Sequence, residues 1–226
     1  NDAAIYWLNQ SLKIDSNFTW AMRFMLSAYK EKGDLKTAKE WCLKWYEKRD
    51  RMPDTEKLWV YYQYSYLFQD PKESVKYVKQ LVEIDNQNPY VYFSLGLSYS
   101  RWGQHDNAIL EYKKALNIFD KWGSKPTWVL PYSNLGYSYF KTGQYKEAIK
   151  LLKEAEQDFP DRYEIIFRQA VLLLTVGDTA AANRYIEKYI SNCKNLQLTE
   201  AAIDGDLAVI YSQAGILDKA EEYYRQ

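Results

Sequence analysis

Residues 132–155 read YSNLGYSYFKTGQYKEAIKLLKEA, and residues 92–115 read YFSLGLSYSRWGQHDNAILEYKKA. Laid on each other, Tyr92, Leu95, Gly96, Tyr99, Gly103, Ala108, Tyr112 and Ala115 fall on Tyr132, Leu135, Gly136, Tyr139, Gly143, Ala148, Leu152 and Ala155, with Pro160 closing the second copy. Large apolar residues three and four apart write one face of a helix; a glycine ends it, and small residues follow at helical spacing. Each copy therefore predicts a helix, a tight turn and a second helix.

Working outward, the same rhythm starts near Thr19, Thr55, Pro89, Val129, Tyr163 and Ala201, at spacings of 34 to 40 residues. The turns are Lys32-Gly33-Asp34, Gln69-Asp70-Pro71, Trp102-Gly103-Gln104, Thr142-Gly143-Gln144, Val176-Gly177-Asp178 and Ala214-Gly215-Ile216. Small residues follow at Ala38, Ser74, Ala108, Ala148, Ala182 and Ala220. A turn glycine takes the left-handed conformation that lets the second helix fold back. Gln69-Asp70-Pro71 lacks one. There Asp70 is expected to cap the next helix, Pro71 to take its first position and Glu73 to complete a reciprocal cap.

A fixed internal period overrides a domain count taken from length. The 226 residues are expected to form one all-α array: 1–18 the second helix of an incomplete repeat, then repeats at 19–54, 55–88 (the most diverged), 89–128, 129–162 and 163–200, and an incomplete one at 201–226. The connection from Asp120 to Trp128 should lengthen the helices on either side of a turn at 123–126, with regular helix resuming near Pro131. The stretches Ser191 to Glu200 and Arg49 to Asp54 should rim one edge. Because both ends fall inside a repeat, the parent polypeptide is expected to continue or the open ends to pair with another copy.

Composition narrows function. Lys plus Arg and Asp plus Glu both total 30, so no global field draws the chain to nucleic acid or an anionic membrane surface. Neighbours such as Lys146-Glu147, Lys153-Glu154 and Glu187-Lys188 read as surface ion pairs, and no nucleic-acid partner is expected. There is no run of about 18 apolar residues and no basic leader ahead of an apolar stretch. No membrane insertion is expected, and the segment reads as soluble, in a cytoplasmic rather than a secreted setting.

Cys42 and Cys193 fall in second helices far apart in the array, which argues against a disulfide. With His105 the single histidine, no Cys/His metal site can be assembled, and no metal or cofactor is expected. His105 follows a turn glycine and reads as a solvated or capping residue. Acids such as Glu154, Glu156, Glu221 and Glu222 belong on exposed helix faces. No phosphate-cradling glycine loop or nucleophile elbow occurs, so a non-catalytic role is expected.

The order aromatic, Leu-Gly, Tyr, Gly, Ala, aromatic or Leu, Ala resembles the tetratricopeptide repeat, a helix-turn-helix unit of about 34 residues. The resemblance covers essentially the whole chain. It departs at Leu26 and Tyr62, where the family prefers a small residue, and at Asp204, where it prefers an aromatic one. It implies a right-handed α-solenoid of antiparallel helix pairs whose first helices line a concave groove. The groove would grip a peptide or helix of a protein partner. Carrying the family phase across places Trp20, Arg23 and Ser27, then Trp59, Gln63 and Tyr66, then Tyr90, Phe93 and Leu97 on that surface. Ser133, Asn134 and Tyr137 follow, then Phe167, Arg168 and Val171.

Rings dominate that series, so apolar or aromatic anchors are expected to be favoured over strongly charged tails. Of the 22 tyrosines and 8 tryptophans, roughly four fifths should fill space between helices, including Tyr99, Tyr112, Tyr139 and Tyr211. Some family members clamp acidic C-terminal tails of chaperones. Only Asn134 and Arg168 match that clamp while Phe93 and Leu97 occupy other slots, so it is not expected here. The alternative to a peptide-binding scaffold is a structural or regulatory segment of a larger protein, mediating self-association or contact with a linked effector domain.

Overall fold

The computed structural model describes residues 2–225, with no strand among them. The chain divides into two compact units, Asn1–Gly103 and Gln104–Gln226. The first holds α1 (Asp2–Ile14), α2 (Thr19–Glu31), α3 (Leu35–Glu47), a 3-10 turn at Arg49–Arg51, α4 (Asp54–Phe68), α5 (Pro71–Ile84) and α6 (Pro89–Arg101). The second holds α7 (His105–Lys121), α8 (Leu130–Lys141), α9 (Tyr145–Asp158), α10 (Tyr163–Thr175), α11 (Thr179–Asn195), α12 (Glu200–Gln213) and α13 (Leu217–Tyr224). Within the first unit α2 pairs with α3 and α4 with α5, while α1 lies on α2 and α6 on α5. Within the second, α8 pairs with α9, α10 with α11 and α12 with α13; α7 lies on α8, and α10 touches both α8 and α12.

The second helices α3 and α9 each bury one narrow stripe. Ala148, Leu152 and Ala155 are the buried residues of α9, and Ala38, Cys42 and Trp45 hold the same spacing on α3. Steps of four and three residues keep a stripe on one face. The small residue that leads each stripe is fully buried, so backbones approach closely there. A close fit occurs at Gly136, where an added β-carbon would lie 3.0 to 3.2 Å from the side chain of Leu152.

The turns follow from backbone chemistry. At the end of α8, Gly143 has φ +74°, its N–H donates to Phe140 O at 3.1 Å, and the Gln144 N–H donates to Tyr139 O at 2.8 Å. These bonds occupy carbonyls that a helix end leaves orphaned. A β-carbon on Gly143 would meet nothing within 4 Å. Gly143→Val should therefore act through the backbone alone, lowering stability by about 1–2 kcal/mol in urea unfolding, with Gly143→Asn costing less. A loss of more than twice that would point to a steric contact absent here.

Where glycine is missing, α4 ends at Phe68 and Asp70 caps α5, its Oδ1 accepting from Lys72 N at 2.8 Å with Pro71 in the first turn. The reciprocal half of the expected cap is absent. Glu73 instead places its carboxylate 3.6 Å from Lys76 Nζ, one turn further on. The long connection also differs from expectation, since only α7 is extended. Residues 122–129 stay outside regular helix, in keeping with the bias against helix before Pro126.

Tyr99, Tyr112 and Tyr211 are buried, whereas Tyr139 is half-buried. Cys42 and Cys193 are free thiols in α3 and α11. Ion pairs join Lys150 to Glu154 and Lys188 to Glu156. The sequence neighbours Lys146-Glu147, Lys153-Glu154 and Glu187-Lys188 do not pair, because adjacent residues on a helix point in different directions. Among the described residues no helix is long and apolar enough to cross a membrane.

Candidate partner-binding site

In the first unit the face under test is built by α2, α4 and α6. On α6 the buried residues are Pro89, Val91, Ser94, Leu95, Gly96, Ser98 and Tyr99, which leaves Tyr90, Phe93 and Leu97 on the other side. Tyr90 is 50% exposed, and Phe93 and Leu97 are half-buried. On α2, Trp20 is likewise 50% exposed. Arg23 lies between rings, its guanidinium 4.6 Å from the Trp59 centroid and 5.5 Å from that of Trp20. Burial pulls the Arg23 pKa down, with Glu56 and Tyr62 acting in the opposite sense. Trp59 is half-buried against the core and meets Tyr62 edge-on at 5.8 Å. Gln63 beside it is half-buried, with its Oε1 shut from solvent and unbonded.

In the second unit α8, α10 and α12 present the equivalent residues. Arg168 Nη1 donates to Gln213 Oε1 at 3.2 Å, and its guanidinium sits 4.4 Å from the Tyr137 centroid and 5.7 Å from that of Phe167. Its pKa is lowered by burial and eased upward by Tyr137. Phe167 also meets Tyr189 edge-on at 6.0 Å, so its ring is shared with the core. Asn134 is half-buried and commits its amide N–H to Leu130 O of its own helix at 3.0 Å. His105 stands edge-on to Tyr137 at 5.6 Å. It is half-buried with its Nδ1 enclosed and unbonded, and burial together with Lys141 lowers its pKa. The expectation of a solvated or capping His105 is therefore corrected.

Two residues carried across from the family phase are also corrected. Ser133 and Val171 are buried, because α8 and α10 each turn more than one face toward neighbouring helices. Ser27 is exposed and Tyr66 half-buried. Sequence reasoning overlooked two cations at the far end of the first-unit face. Lys30 Nζ lies 5.0 Å, and the Arg101 guanidinium 4.9 Å, from the Tyr66 ring centroid. A signal was present, since the seven-residue step from Arg23 to Lys30 and from Trp59 to Tyr66 returns each helix to the same side. The arrangement offers rings and cations for recognition. No group of three His, Cys, Asp or Glu able to hold a metal occurs among the described residues.

The tetratricopeptide repeat model matches residues 89–121 and 129–162. The chain is 30% identical over 79 residues to the small glutamine-rich tetratricopeptide repeat-containing protein 2 of Mycosarcoma maydis, a match that takes in 35% of this chain and 21% of that protein. The chain thus corresponds to about a fifth of the length of that relative. Among solved structures it is similar to the APC/C hetero-tetramer Cut9-Hcn1, with TM-score 0.72 and 20% identity over 98% of this chain and 42% of the other. It is also similar to PilW, a widely conserved type IV pilus biogenesis factor, with TM-score 0.64 and 18% identity over 91% and 90% of the two chains. At such identities these likenesses show the fold, an all-α solenoid of helix pairs. Two tetratricopeptide repeats are thus recognised in the sequence, at 89–121 and 129–162, where the aromatic and glycine signature is fullest.

Proposed function

We propose that the chain is a non-catalytic protein-interaction scaffold that holds a peptide or helix of a protein partner on the surface of its first helices. The observation carrying this reading is the solvent exposure of aromatic rings on the first unit. Trp20 and Tyr90 remain half exposed on helices whose other sides are fully used for the core. Exposed aromatic residues next to desolvated arginine are the composition of interface hot spots. Trp59, Phe93, Leu97 and Gln63 form the half-buried floor of this face, and Tyr137, Phe167, Arg168 and Asn134 offer a corresponding floor on the second unit.

The test separates binding from folding. Peptides are selected from a random dodecamer display library on the full chain, and their affinities are measured for Trp20→Ala with Tyr90→Ala. The pair should weaken binding by about 2 kcal/mol or more while the melting temperature holds. Trp59→Ala should reduce both, because its ring also packs against the core. Unchanged affinity in the Trp20/Tyr90 variant would place the binding surface elsewhere.

A further inference from the structure

The far end of the first-unit face gathers positive charge that the chain does not neutralise. Lys30 lies in the last turn of α2, Tyr66 in the last turn of α4 and Arg101 at the end of α6. Both cations rest on the Tyr66 ring, at 5.0 and 4.9 Å from its centroid. Arg101 is exposed and Lys30 half-buried. Neither appears in any ion pair among the described residues. Arg23, two turns back on α2, differs, because the Glu56 carboxylate acts on it. For Lys30, burial is the largest influence, Cys42 acts in the opposite sense, Arg101 repels it, and the one carboxylate that acts on it is its neighbour Glu31, with the least effect.

Helix-end carbonyls account for a cation at each terminus. They do not account for two like charges meeting on one ring between them, one of them partly withdrawn from water. Like charges held together in a desolvated place favour an anion from outside.

We propose that the last turns of α2, α4 and α6 form a carboxylate-binding subsite, in which Lys30 and Arg101 together hold an Asp or Glu side chain of the bound partner peptide. A carboxylate offers one oxygen to each cation, and both cations ride on rotatable stems around the ring. Charge-assisted hydrogen bonds of this kind are the strong ones. A peptide is the fitting bearer because the subsite is continuous, along α4, with the Trp59 and Gln63 floor. The inference rests on the peptide-binding reading above and changes it, since the face then prefers an acidic residue among apolar anchors.

The same dodecamer selection, run in parallel on the full chain and on Lys30→Gln with Arg101→Gln, decides the matter. The unaltered chain should enrich peptides bearing Asp or Glu, and the double variant should lose that enrichment. A selected acidic peptide should bind the variant about tenfold more weakly or worse. Changing its acidic residue to the amide should cost the unaltered chain as much and the variant little. Lys30→Arg should keep the preference, and the glutamine variant should melt no earlier than the parent, since it loses a repulsion. Apolar pools without acidic enrichment, or acidic peptides that bind the variant equally, overturn the subsite while leaving the scaffold reading intact. Inorganic phosphate that displaces the acidic peptide far below the concentration of N-acetyl-glutamic acid N-methylamide required overturns the carboxylate assignment. An empty selection overturns the peptide-binding reading, and the subsite with it.

Discussion

Trp45→Ala is expected to destabilise the first unit by about 3–5 kcal/mol, the largest effect of any single truncation there. Trp45 is 0% exposed and stands among Met22, Leu26, Ala38, Cys42, Met52 and Val60, so α2, α3 and α4 all lose contacts when the ring goes. Its indole N–H points to Glu56 Oε1 at 3.5 Å, too long to contribute much, so the cost is mainly cavity and lost transfer energy. Trp45→Phe should recover more than half of the loss. The check is the urea midpoint of the helical circular dichroism signal at constant slope. Repeat arrays can unfold unit by unit, so amide exchange should show the loss concentrated in α2 to α4. A shift below about 1 kcal/mol would mean the ring is far less enclosed than described.

The second large effect concerns the contact that the signature glycine creates. Leu152→Ala should cost about 2–5 kcal/mol, since Leu152 is fully buried where α9 meets α8. Gly136→Ala alone should also destabilise, because the new methyl lands 3.0 to 3.2 Å from three Leu152 side-chain atoms. The informative measurement is the double variant. With Leu152 already shortened, the Gly136 methyl enters the vacated space and relieves overcrowding, and alanine also removes the helix penalty of glycine. Gly136→Ala should therefore change sign, stabilising the Leu152→Ala background. Additive losses would show that the two positions do not touch in solution.

Much of the helix pattern was legible because it is local. The steps that write Ala148, Leu152 and Ala155 on one stripe, and the left-handed glycine that ends α8, depend on residues within a turn or two of each other. The surface was less legible because exposure depends on which neighbour covers a face. Ser133 and Val171 have the right phase for an open surface and are nonetheless covered. Lys30 and Arg101 look in sequence like ordinary cations at helix ends, and only the arrival of Tyr66 between them gives them a shared task. Glu73 carried a cap signature at the correct spacing, yet a lysine one turn away took its carboxylate.

Recognition on the first-helix face is tested most directly by cross-saturation NMR between the full chain and a peptide selected on it. Transfer should concentrate on Trp20, Trp59, Tyr90 and Phe93 in the first unit, with Arg23 and Lys30 signals perturbed beside them. Transfer concentrated instead on the second helices, at Trp41 and Leu43 of α3 or Tyr77 of α5, would contradict the account.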